Sequence, residues 1–129
     1  MLITPRPYKI RPRVFEYACE VIRAFPKNRL DPPSLKVWSQ LIGAATSSGA
    51  HVEEASAGGT RPHFLSLMRG ALREMRESNY WLRIISATEL MGHRSIGPLI
   101  KESEELVAIL ATIVRRTYQN GVKRRTKNE

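Results

Sequence analysis

"VWSQLIGAATSSGAHVEEASAGGTRPHF", residues 37–64, decides how the chain folds. Trp38, Leu41, Ile42, Ala45, Gly49 and Val52 recur at helical spacing, so the first part reads as a helix. Gly58-Gly59 then break the pattern, as glycines past a helix end do. Thr60 follows as an N-cap and Pro62 falls in the first turn of a new helix. The stretch is therefore helix, glycine break, helix. No period-2 alternation appears on either side of it.

Working outward, the same signals repeat. Val14/Phe15, Ala18, Val21/Ile22 and Phe25 predict a first helix over 12–25, stopped by Pro26. Ser34 is the expected N-cap of the second helix, which runs to about Ala57. The third runs from Thr60 to about Leu90, along the apolar positions Phe64, Met68, Ala71, Met75 and Leu82. After the break "MGHRSIGP", a fourth spans 98–119, acidic in its first half and ending in Arg115 and Arg116, the order the helix dipole favours. Gly121 is expected to close it. The fold class is all-α: an antiparallel up-and-down four-helix bundle over 12–120, with a basic arm at 1–11 and a basic, disordered tail at 121–129.

From Val37 to Val52 the second helix carries no formal charge on any face, over more than four turns. A helix uncharged all round is usually buried all round. A four-helix protomer leaves each helix an outer face, so this one is expected at a subunit contact in a homo-oligomer. Gly43, Ala44, Ser47, Ser48 and Ala50 would let a second backbone approach closely.

The 129 residues suit one domain. A single cysteine, Cys19, excludes an internal disulfide and points to a reducing compartment. Neither an apolar leader nor a membrane-spanning run is present, so the expectation is a soluble, cytoplasmic protein. The net charge of +9, concentrated toward the two ends, favours polyanions.

His51 with Glu54, and Glu74 with Glu77, are i,i+3 pairs that raise a di-metal carboxylate centre. Such a centre needs Glu-x-x-His twice, plus a glutamate from each of two other helices, all projecting inward. Here one pair is reversed, the other has no histidine, and the first and last helices supply none. His63 and His93 lie at helix margins. "SAGGTRP" lacks the spacing of a phosphate loop, and a helix cap explains it. The chain reads as a non-enzyme with no catalytic residue, metal or cofactor. Glu54, Glu74 and Glu77 are then expected to hold arginines or helix ends, with His51 hydrogen-bonded at an interface.

The positive signal is on the third helix. Arg69, Arg73, Arg76, Tyr80 and Arg83 follow each other by 4, 3, 4 and 3 residues, which stacks them on one face. Four guanidiniums and an aromatic in line suit a phosphate backbone and a stacked base. The alternative is a plain solvated face, partly neutralised by Arg73 with Glu77. Arg6, Arg11 and Arg13 at one end, and Arg115, Arg116, Lys123, Arg124, Arg125 and Lys127 at the other, extend the basic surface.

From Val14 to Tyr118 the chain resembles the four-helix-bundle proteins encoded in intervening sequences of bacterial 23S ribosomal RNA genes. Ser47, Ser48, Ala50, His51, Val52, Glu54 and Ala55 match a Ser-Ile-x-Asn-Ile-x-Glu-Gly pattern, with His51 for the usual Asn and Ala55 for the usual Gly. Arg61 and Phe64 match a loop arginine and helix-starting phenylalanine, Glu74 in "RGALREMRE" a carboxylate, and Tyr80, Trp81 and Leu82 a Tyr-Trp-Leu segment. The resemblance implies a homopentamer and kinship to the accessory variability proteins of diversity-generating retroelements, which bind nucleic acid and a reverse transcriptase. Ala44, Ser47, Ser48, His51, Glu54, Glu74 and Trp81 become subunit-interface or structural positions. Two functions follow: a nucleic-acid-binding accessory of a reverse transcriptase, or an assembly module with no nucleic-acid role.

Overall fold

The computed structural model describes residues 9–90 and 96–128, which form four helices: α1 (Ile10–Ala24), α2 (Pro32–Ser56), α3 (Arg61–Thr88) and α4 (Ile96–Asn128). No strand occurs among the described residues. Arg6, most of the N-terminal arm, and His93 with residues 91–95 of the expected break lie outside them.

The helix ends show which local signals won. Asp31, not Ser34, caps α2. Its backbone is extended and its carboxylate accepts the Ser34 N–H at 2.8 Å, while Pro32 and Pro33 occupy first-turn positions that need no donor. That bond holds the Asp31 carboxyl below the usual carboxylate range. Gly58 and Gly59 have φ of 109° and 121°, the left-handed values the α2–α3 turn requires. Thr60 caps α3 as expected, accepting the His63 N–H. Helix α3 ends at Thr88, with Glu89 in left-handed conformation rather than at Leu90.

Helix α4 corrects the expected boundary most. It starts at Ile96 and continues through Gly121 to Asn128, so residues read as a disordered tail are helical. An interior glycine costs about 1 kcal/mol against alanine, too little to end a helix by itself. Lys and Arg in the last turn suit the dipole. At Gly121 an added Cβ would sit 3.4 Å from Arg61 Cδ, an ordinary contact, so α4 lies beside the start of α3 without needing a glycine there.

One core joins all four helices. Trp38, Leu41, Met68, Met75, Leu82, Leu106 and Leu110 are fully enclosed, and Phe25 meets Trp38 edge-on at 5.7 Å. In α1 the inward positions are Val14, Tyr17 and Val21. Phe15 and Ile22, expected in the core, are 60% and 50% exposed. Both sets share one period, and the helix is rotated to bury the tyrosine.

Tyr17 anchors a buried polar relay. Ser78 Oγ donates to the Met75 carbonyl, so the Tyr17 hydroxyl donates to Ser78 Oγ at 2.8 Å. Ser103 Oγ donates to the Ile100 carbonyl and accepts from Asn79 Nδ2 at 2.8 Å. Buried polar groups satisfied in this way fix how helices face one another.

Burial pushes the Tyr17 phenol up to about 12 against the opposing hydrogen bond with Ser78. Its contribution to stability is intact below pH 10, the unfolded value, and is lost as pH rises toward 12. Wild-type stability in urea should fall between pH 10 and 12 by about 1.4 kcal/mol per pH unit more than that of Tyr17→Phe. Parallel pH curves for the two proteins would show that Tyr17 is not the group responsible.

Candidate nucleic-acid interface

The rotation of α3 is set by its contact with α2. Ser48 Oγ donates to the Ala71 carbonyl at 2.8 Å, and both residues are fully buried. Next to it, a Cβ on Gly70 would lie 2.6 Å from His51 Cδ2, so the imidazole lies directly on the glycine. With Gly70 and Ala71 turned toward α2, and Met68, Met75 and Leu82 in the core, Arg69, Arg73, Arg76, Tyr80 and Arg83 are left pointing out. At about 100° per residue they fall within an arc of about 80°. All five are exposed.

Among the described residues no ion pair is formed on this face. Among the described residues, Arg69, Arg73, Arg76 and Arg83 have no acidic partner within 4.0 Å, and the expected Arg73–Glu77 pair is not formed. The α1 side is the opposite case. Arg13 is 13% exposed and forks onto Glu102 at 2.6 and 3.1 Å, with Glu105 at 3.1 Å. Its hydrogen bond to Glu102 raises its pKa further. Arg11 pairs with Glu53 at 3.0 Å, and Arg23 with Glu16 and Glu20. Arg13 therefore joins α1 to α4 from a part-buried site, and Arg11 is paired with α2 at the surface, so both are partly neutralised within the basic surface proposed on sequence.

Helix α4 extends the α3 face. The Arg69 guanidinium lies over the Tyr118 ring, 5.7 Å from its centroid. Arg115, three residues before Tyr118, and Arg125, seven after it, share its face of α4. Arg116, Lys123 and Arg124 are exposed but more than 100° away around the helix, so the six-residue basic set divides between two faces. Tyr118 and Asn79 were missed on sequence. Tyr118 stands off the apolar stripe of α4 beside Arg115, a signal readable in retrospect.

The interface and structural positions also separate. Ala44 and Ser48 are buried inside the protomer, Ser47 is half-buried, and Trp81 is half-buried with its ring edge-on to Tyr80 at 5.0 Å. His51 Nδ1 donates to the Ser47 carbonyl at 2.7 Å within α2, and it is the ring's contact with Gly70 that joins His51 to α3. Glu54 and Glu77 are exposed and Glu74 half-buried, and none has an arginine partner among the described residues, contrary to expectation. Among the described residues no group of three or more His, Cys, Asp or Glu side chains could hold a metal ion. No described helix is long and apolar enough to cross a membrane.

The chain belongs to the 23S rRNA-intervening sequence protein family, whose model matches residues 8–112. Its fold is similar to the crystal structure of a protein of unknown function from the S23 ribosomal protein family of Bacteroides thetaiotaomicron VPI-5482. The TM-score is 0.71 at 22% identity, covering 84% of this chain and 97% of that one. No curated protein matches the chain.

The Gly70–His51 contact gives a direct test of what orients the arginine face. Gly70→Ala should destabilise the protein or leave it unchanged. In a His51→Ala background the same change should stabilise it by about 1 kcal/mol, the helix-propensity gain. A coupling near zero in this double-mutant cycle, by denaturant melts, would mean the ring does not rest on Gly70.

Proposed function

We propose that this member of the family is a non-enzymatic, homo-oligomeric nucleic-acid-binding protein. It would act in the cytoplasm as an accessory to a reverse transcriptase or a similar enzyme. The observation that carries the reading is the α3 face: four arginines and a tyrosine, exposed, in line and with no ion pair within 4.0 Å among the described residues. An unpaired cationic face attracts phosphates and releases their counterions without first breaking an internal ion pair. Arginine adds planar, bidentate donation to phosphate oxygens.

The protomer reads as an antiparallel up-and-down bundle. Late α2 meets early α3 at Ser48 and Ala71, and late α4 meets early α3 at Tyr118 and Arg69, contacts that support it. Assembly is supported by a second face. Along α2, Leu35, Ser39, Gly43, Thr46 and Ala50 are exposed in one line, and Leu35 is 51% exposed. Thr46 Oγ1 donates back to the Ile42 carbonyl, so this face has little need of water. With Phe15 and Ile22 also exposed on α1, an apolar surface is available to a second copy. A cyclic pentamer would close such a contact head-to-tail and repeat the arginine face around its rim. Ring geometry would then add avidity to weak phosphate contacts.

Two experiments test these halves separately. Arg73→Glu with Arg76→Glu should weaken binding of structured RNA and of duplex DNA alike. It should also lower the slope of log affinity against log salt by about 2, with the melting temperature unchanged. An unaltered slope would remove α3 from the interface and favour an assembly module with an acidic protein partner. Gly43 has open space around its Cβ position, so Gly43→Glu should leave the helical content intact. Light scattering should then show the 14.7 kDa protomer instead of five times that mass, and an unchanged oligomer would move the contact elsewhere.

A further inference from the structure

Each end of the arginine face is built as a tyrosine with a guanidinium held against it. At one end Arg69 lies over the ring of Tyr118, a residue 49% exposed. At the other, the Arg83 guanidinium stands 5.8 Å from the centroid of Tyr80, which is 46% exposed and braced edge-on by Trp81.

The second end is fixed from inside the protein. Arg83 Nε donates to Asn79 Oδ1 at 2.9 Å, and Asn79 Nδ2 donates to Ser103 Oγ at 2.8 Å. Ser103 in turn donates to the Ile100 carbonyl. Both ends of the Asn79 amide are therefore committed, which fixes its orientation. Arg83 spends one donor on Asn79 and keeps its two terminal nitrogens for an outside acceptor. The cation and the ring beside it are preorganised, so little rotamer freedom is left to lose on binding.

We infer that this face takes single-stranded nucleic acid in preference to duplex, with one unpaired base stacking on Tyr80 and another on Tyr118. The inference rests on the nucleic-acid reading above and adds the form of the ligand. In a duplex the base faces are already stacked, and a convex helix can reach only phosphates. A single strand offers a base face at every step, and aromatic side chains stack on bases regardless of sequence. The spacing is compatible. Arg69 and Tyr80 are 11 residues apart, about 16 Å along the helix axis. At about 3.4 Å per stacked nucleotide that is on the order of five nucleotides. Arg73 and Arg76 lie between the two rings to meet the intervening phosphates.

The test uses the full chain and a 12-nucleotide RNA without self-complementarity, alone and annealed to its complement, at one fixed salt concentration. The wild type should bind the single strand at least tenfold tighter than the duplex. Tyr80→Leu and Tyr118→Leu should each weaken single-strand binding about 5- to 150-fold, the range of one lost base stack, and change duplex binding less than twofold. Tyr80→Phe and Tyr118→Phe should retain the preference, since the ring stacks and not the hydroxyl. Phe variants also keep the test valid if a leucine variant melts early. Equal affinity for the two forms, or leucine variants that bind the single strand like wild type, overturns the inference while leaving phosphate binding in place. Absence of binding to either form overturns the nucleic-acid reading itself.

Discussion

The seam between α2 and α3 is the constraint from which the rest of the surface follows. Two glycine- or alanine-sized positions, Gly70 and Ala71, face α2, one covered by the His51 ring and the other accepting the Ser48 hydroxyl. Close approach on that side and a large-residue core at Met68, Met75 and Leu82 leave α3 one rotational setting. The arginines then have nowhere to go but outward. A helix turned by a single position, about 100°, would bring that row against its neighbours. The direction of the basic face is thus a by-product of packing two residues away from it.

Charge is distributed by pairing more than by composition. Arg11 and Arg13 are spent on glutamates of α2 and α4, which links the first helix to those two, and Arg23 pairs with Glu16 and Glu20 inside α1. The α3 arginines are not spent in this way. Exposed ion pairs contribute little to stability, generally under about 1 kcal/mol, so leaving four cations unpaired costs the fold little. Arg83 is the intermediate case: neutral partners hold it while its charge remains available. Such positioning without neutralisation is what distinguishes a prepared surface from a merely soluble one.

Much of the fold was legible because its signals are local. The Gly58-Gly59 break, the Thr60 cap and the period of the α3 core all act within a few residues, and the structure follows them. Rival local signals were misjudged. Asp31 and Ser34 both suit an N-cap, and the two prolines between them decide for Asp31. Gly121 looked like a stop, yet α4 runs through it to Asn128. Phe15 and Ile22 share the period of Val14 and Val21, and contacts from elsewhere in the chain, the Tyr17 hydroxyl on Ser78 and Arg13 on Glu102, choose between the two sets. Pairings could not be read at all: Arg13 and Glu102 are 89 residues apart. The α3 stripe was visible in its spacing, whereas its lack of ion pairs among the described residues and its join to Tyr118 came only with the packed helices.

The most direct test of the account is a heteronuclear NMR titration of the arginine Nε–H signals with the 12-nucleotide single strand. The account predicts shifts confined to Arg69, Arg73, Arg76 and Arg83, with Arg115 and Arg125 following. Arg11, Arg13 and Arg23, locked to their glutamates, should stay in place. Shifts centred on the paired α1 arginines, or on none of these groups while the strand is bound, would contradict it.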